Sequence, residues 1–218
     1  MLPLLPLLLL LSSCALAPAN FQSRQVPDLG ARNIKRVAVY IDPIPAQGKT
    51  GVPYTSPAGA NGKDAGMDAG AILPNLLYSA MSSLPNWQIV SDREVKEIGA
   101  TVPQGSDRDR ARRLGELVYA DAVISARLLR YRERVGEEWG VQSPASVAFV
   151  LELWDVKRGD LIWQGRFDET QKSLNENLFA LGDIGERGVR WLKAEELARD
   201  GIKKAVQQLH QNLYRRPG

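Results

Sequence analysis

The chain has one cysteine and one histidine in 218 residues, and it has little excess of charge, with 28 Lys and Arg against 25 Asp and Glu. Each scarcity removes a class of function. One thiol cannot make an internal disulfide, and with a single imidazole it cannot assemble the usual zinc sets of cysteine and histidine. A formal charge of +3 leaves no dense basic face for a nucleic-acid backbone. The basic residues gather at Arg108, Arg110, Arg112 and Arg113, and again at Arg127, Arg130, Arg132 and Arg134, but Asp107, Asp109, Glu116 and Glu133 interrupt them. That interleaving reads as a solvated face. A long apolar run is also missing: only the first eleven residues are almost wholly apolar, short of the about 20 that a helix needs to cross a bilayer. No basic residue precedes Arg24, although a secretory signal ordinarily starts with one, so translation is expected to begin upstream of Met1. What remains, 44% hydrophobic and 24% charged residues, suits one globular domain with tails.

The apolar start reads as the central region of a secretory signal. It ends in Leu11-Ser12-Ser13-Cys14, an aliphatic residue, two small residues and the only cysteine, which resembles the lipobox of bacterial lipoproteins. The resemblance implies cleavage before Cys14, a diacylglycerol on its sulfur and an acylated amino terminus, with palmitate among the acyl chains. Several acyl chains anchor a protein stably where one is marginal. The sorting rule of such lipoproteins, with Ala15 rather than Asp at the second mature position, implies the outer membrane and its periplasmic face. The expected organisation is a signal peptide over 1–13, a lipid-anchored flexible tether over 14–34 and a periplasmic α/β domain over 35–214.

Within that domain, Arg36 to Ile41 alternates as a buried strand. A stretch rich in Gly, Pro and Ala follows over 42–70, long enough to be functional or disordered. Helical spacing of Ile72, Leu73, Leu76, Leu77, Ala80, Met81 and Leu84 predicts a helix from Ala71, with Pro74 in its first turn. Trp87 to Val90 reads as a strand, and Ser91-Asp-Arg-Glu94 as a capping box opening a short helix. A helix over Asp107–Tyr119 and a strand over Asp121–Ala126 come next. Val147 to Trp154 alternates strictly, Asp155-Val-Lys-Arg-Gly-Asp160 is a turn, and Leu161 to Gln164 returns: a β-hairpin. The segment 171–188 has no clean period and is expected to wrap the domain. A last helix starts near Ala194, with Leu197, Ile202, Val206, Leu209 and Leu213 on one stripe. The fold class is α/β (α+β): one central mixed sheet with a long antiparallel hairpin, packed by helices.

No constellation carries catalysis. Gly48-Lys49-Thr50 suggests a phosphate loop, but the glycine that such a loop needs five residues earlier is Pro43. His210 has no marked serine or metal-binding companion and reads as a helix-surface residue. Glu137-Glu138 and Glu195-Glu196 are adjacent in sequence and diverge on any regular element.

The order of elements behind a lipobox, with ADAVISARLLRY, PASVAFVLELWDVKRGDLIWQGRFDETQ and LKAEELARDGIKKAVQQL, resembles a group of small bacterial envelope lipoproteins. The group is related in fold to the TolB amino-terminal domain, the curli-secretion lipoprotein CsgG and the activator LpoB. The resemblance implies a non-enzymatic accessory or regulator of a cell-envelope assembly or secretion system, acting on a protein partner and without cofactors, with self-association into a homo-oligomer as a further partner class. Pore-forming relatives insert strands alternating apolar and polar residues, a pattern absent from 42–70. Contact candidates are Gln47, Lys49 and Tyr54 in the Gly/Pro stretch and Lys157 and Arg158 in the hairpin. The alternative is a peptidoglycan, glycan or small-ligand binder stacking its ligand on Trp139, Trp154 or Trp163.

Overall fold

A computed structural model describes residues 20–41, 64–137, 140–171 and 190–214, with side chains in the first helix described from residue 72. Its elements run β1 (Phe21–Gln25), a 3-10 turn (Leu29–Ala31), β2 (Arg36–Ile41), α1 (Asp64–Ser82), β3 (Gln88–Ile89), α2 (Asp92–Gly99), α3 (Asp107–Leu117), β4 (Ala122–Arg132), β5 (Val135–Gly136), β6 (Val141–Ser143), β7 (Ser146–Asp155), β8 (Asp160–Thr170) and α4 (Ala194–Tyr214). The main sheet has the order β1-β8-β7-β4-β2-β3. Its β2 runs parallel to β3 and β4, while β4, β7, β8 and β1 are antiparallel, so the sheet is mixed and the α/β class holds.

The alternation of the hairpin decides the two faces, because side chains in a strand point alternately to either side. Val147, Phe149, Leu151 and Leu153 are fully buried beneath α1 and α4, where Leu77, Met81, Leu197, Ile202, Val206 and Leu209 meet them. Each such large side chain contributes about 1.5–3 kcal/mol. Phe149 and Phe167 stack across β7 and β8 with ring centroids 5.1 Å apart. The Phe167 ring lies so close to α4 that a Cβ on Gly201 would stand 2.8 Å from it. A helix with any side chain at that position could not seat on β8. Among the described residues the opposite face is covered at one end only: Val95, Ala111, Leu114 and Val118 of α2, α3 and the turn after α3 pack on Ala38, Val123 and Val156.

The tether expected over 14–34 is corrected for its second half. Phe21 to Gln25 pairs with β8 from Phe167 to Trp163, the amide of Asp168 donates to the Asn20 carbonyl at 2.9 Å, and Leu29 is buried at 1% exposure. The reason is a sheet edge. FQSRQ has no buried alternation, so its sequence looks like linker, but the unpaired backbone of β8 supplies hydrogen bonds that do not depend on side chains. Phe21 adds a ring contact to Trp163 at 6.4 Å. The domain therefore begins by residue 20, not 35.

Other boundaries move as well. The first helix begins at Asp64, inside the stretch read as loop over 42–70, which puts Pro74 in its interior. DAGMDAG carries no apolar stripe, so periodicity could not reveal that extension. The fourth strand runs on to Arg132, past the expected end at Ala126, with a bulge between Leu128 and Arg130. Ser91 caps α2 by accepting from the Glu94 amide at 3.3 Å, whereas the Glu94 carboxylate faces Arg36 at 3.5 Å. Ser106 caps α3 in the same way, through the Asp109 amide. The wrapping segment expected over 171–188 lies outside the described residues beyond Gln171.

Candidate functional site

Of the expected site residues, Cys14, Gln47, Lys49 and Tyr54 lie outside the described residues, as does Trp139. Lys157 and Arg158 are exposed in the turn between β7 and β8. The turn is braced from beneath. Arg32, 6% exposed in its side chain, reaches Asp155 at 2.9 Å, Asp160 at 3.0 Å and Asp28 at 3.0 Å, and Asp155 is itself 8% exposed. Burial opposes the Arg32 charge, but its hydrogen bonds to Asp160, Asp28 and Asp155 outweigh it and hold its pKa above the usual range. In return, the hydrogen bond from Arg32 holds the Asp28 carboxyl below the usual range. The other Asp155 oxygen accepts the Arg158 amide at 3.0 Å. Gly159 completes the turn at φ +67°, a left-handed conformation suited to glycine, with the Arg108 guanidinium beside it. The turn thus presents Lys157 and Arg158 outward from a fixed base, next to Arg108 and Arg112 of α3.

Beside this turn stands a residue that the sequence reading passed over. Tyr119 is 86% exposed and takes φ +53°. It follows α3 in a Schellman arrangement, in which the Ala120 amide donates to the Gly115 carbonyl and the Tyr119 amide to the Glu116 carbonyl. Glycine or asparagine is usual at this position, and Asn33 and Asn86, the other described non-glycine residues with positive φ, follow that preference. A bulky left-handed residue costs roughly 1–2 kcal/mol. Its neighbour Leu117 is 36% exposed, and the Val156 amide donates to the Asp121 carbonyl two residues along. An exposed tyrosine in a strained conformation thus adjoins the basic turn. The missing glycine after an otherwise ordinary helix end, in GELVYAD, was the signal available in the sequence.

The stacking platform is corrected in part. Trp163 is 1% exposed and lies over Gly165 within the core, so it presents no face to a ligand. Trp154 is partly buried and donates its indole N–H to the Ser125 hydroxyl at 3.2 Å. His210 is less free than a bare surface residue: its Nε2 lies 2.7 Å from the Pro85 carbonyl, and its ring packs against Trp87 and Tyr214. The helix-start acids are engaged separately, Glu195 with Arg199 and Glu196 with Arg190 and the Lys193 amide. Among the described residues no cluster of three or more His, Cys, Asp or Glu is placed to hold a metal ion. Among them, too, no helix is long and apolar enough to cross a membrane.

No protein-family model matches the sequence, and comparison with curated proteins finds no match. Solved structures similar to the chain include a PelC dodecamer from Paraburkholderia phytofirmans, at 18% identity and TM-score 0.43, covering 87% of this chain and 96% of that one. A hypothetical protein from Chlamydia trachomatis matches at 11% identity and TM-score 0.46, over 84% of this chain and 99% of that one. The carboxy-terminal domain of LpoB from Salmonella enterica, one of the proteins named in the sequence resemblance, matches at 15% identity and TM-score 0.36, over 63% and 83%.

Proposed function

We propose that this chain is a non-enzymatic lipoprotein, anchored through Cys14 in the outer membrane with its domain in the periplasm, that binds a protein partner of an envelope assembly or secretion system. The contact surface is the end of the sheet formed by Lys157, Arg158 and Tyr119. The observation that carries this reading is the opposition of two ends. Edge strand β1 enters the sheet beside Phe167, whereas the β7–β8 turn and the start of β4 lie at the other end. From Asp160 to Phe167 is roughly 24 Å at ~3.4 Å per residue. An anchor at one end leaves the other as the part of the sheet farthest along the strands from the point of attachment, and there the chain maintains an exposed, strained tyrosine next to a braced cationic turn. Tyrosine and arginine dominate the energetics of many protein interfaces.

Photo-crosslinking in intact cells tests the reading. A crosslinking residue at Tyr119 or Lys157 should trap one defined protein, and the same residue at Glu195, at the opposite end, should not. Equal trapping at both ends, or none at Tyr119 and Lys157 in correctly localised protein, would refute this contact surface. A trapped second copy of the chain would identify the partner as itself.

A further inference from the structure

We propose that the outer face of the β1–β8–β7–β4 half of the sheet, which the described residues leave uncovered, lies against anionic phospholipid headgroups, a role that rests on the anchored reading above. Strand register places the charges. Phe21 opposite Phe167 faces the core, so the alternate pairs, Gln22 opposite Arg166 and Arg24 opposite Gln164, face outward. On β4 the bulge after Leu128 restores the register, setting Arg130 opposite Ala148 and Arg132 opposite Ser146. Arg127 lies on the same outer face, opposite Val150. Five arginines therefore share a surface with three acids: Asp168, which pairs with both Arg130 and Arg166, Asp107 of α3, which pairs with Arg127, and Glu152, which accepts from the Gln164 side-chain amide. Arg24 and Arg132 are exposed and make no ion pair among the described residues. A sheet face this polar does not seek an apolar cover.

The occupant follows from where the chain enters. Asn20 lies six Cα steps beyond Cys14, and a trans chain spans at most about 3.6 Å per step, so a thioether-linked lipid at Cys14 holds the start of β1 within about 22 Å of its membrane. The Asn20 carbonyl is fixed to the Asp168 amide, beside Arg130 and Arg166. This face is thus the part of the described domain tied most closely to the lipid surface. Cations near an anionic leaflet are attracted within a Debye length, about 8–10 Å at ordinary salt. Phosphate oxygens also match the planar guanidinium fork better than they match an ammonium group.

Vesicle sedimentation tests this with the mature chain from residue 14 carrying Cys14→Ser, so that no acyl group contributes. Binding is expected to vesicles of phosphatidylcholine with phosphatidylglycerol, to fall with added salt, and to be weak on phosphatidylcholine alone. Arg24→Gln with Arg132→Gln should weaken it about fivefold per arginine. Lys203→Gln with Lys204→Gln, exposed on α4 across the sheet from this face, should leave it unchanged, and unaltered circular dichroism of both pairs controls for folding. Equal binding to the two vesicle types, equal loss in both variant pairs, or capture of an acidic protein without vesicle binding would overturn the proposal. The anchor is read separately, from the mass of protein extracted from its own membranes. An acylated Cys14 with no preference for anionic vesicles overturns the face and keeps the anchor; an unmodified Cys14 with salt-sensitive vesicle binding does the reverse.

Discussion

Replacing Arg32 with methionine isolates the brace beneath the hairpin turn. Methionine retains much of the apolar stem and removes the guanidinium, leaving the three carboxylates to their surroundings. They differ sharply: Asp28 and Asp160 are 48% and 42% exposed, and each solvates readily once released, whereas Asp155 is 8% exposed and cannot. An exposed ion pair contributes about 0–1 kcal/mol, but leaving a buried charge unpaired costs about 3–5 kcal/mol. The loss should therefore come almost wholly from Asp155. With an m-value of about 2–3 kcal/mol/M for urea, the unfolding midpoint should drop by about 1–2 M. Adding Asp155→Asn to Arg32→Met removes the stranded charge while keeping an acceptor for the Arg158 amide, and should recover more than half of the loss. Urea unfolding of the two variants and of Asp155→Asn alone completes the cycle. A loss under about 1 kcal/mol for Arg32→Met, or no recovery in the double variant, would refute the claim that buried charge pairing holds this turn.

Tyr119→Asn should raise stability by about 0.5–1 kcal/mol through relief of the left-handed strain while reducing crosslinking of the partner; reduced stability in the same denaturation assay would contradict the strain argument. Gly201→Leu should lower stability by about 1–3 kcal/mol or more, because the new side chain meets the Phe167 ring at its first carbon, and Gly99→Ala, where a Cβ has open space, should cost nothing; equal effects would dismiss the close approach of α4 to β8. Acid should destabilise the fold in a defined direction. Burial raises the pKa of Asp168 and of Glu196, but Arg130 and Arg166 for the first, and the Lys193 amide and Arg190 for the second, outweigh it and hold both below their usual values, as Arg32 does for Asp28. Groups depressed in the fold stabilise it above their unfolded values and lose that contribution as pH falls through the folded ones, so the melting temperature should decline below about pH 4 and not above it. At the other extreme, burial and the nearby Asp121 charge raise the Tyr214 hydroxyl to about 12, so its contribution is complete below about pH 10 and lost as pH rises toward 12; a Tyr214→Phe variant should flatten that alkaline decline.

Much of the architecture could be read from local pattern, for a physical reason. The β7–β8 hairpin, the stripe of α4 and the serine caps of α2 and α3 are interactions between residues near in sequence, and two-residue or 3.6-residue periods record them directly. The lack of cysteine and histidine clusters likewise bounded the chemistry before any fold was known. The lipobox placed an expected anchor at Cys14 by residue type and spacing alone.

Tertiary structure alone decided what lies between and across those elements. Strand β1 is held by the backbone of β8, more than 130 residues away, and backbone hydrogen bonds leave no trace in side-chain pattern. Arg32 is one arginine among many in the sequence; its burial among three aspartates arises because the turn from β7 to β8 folds back over the 3-10 turn. Trp163 and Trp154 are similar in sequence context, yet one is sealed over Gly165 and the other faces outward, since Trp163 pairs opposite core-facing Leu153 whereas Trp154, the next residue along β7, points to the other side of the pleat. The opposition between the entry of β1 and the Tyr119 turn is also a consequence of antiparallel pairing. Which end of a sheet a terminus reaches depends on the strand it joins, and a polar edge strand can be assigned only when its partner is in place.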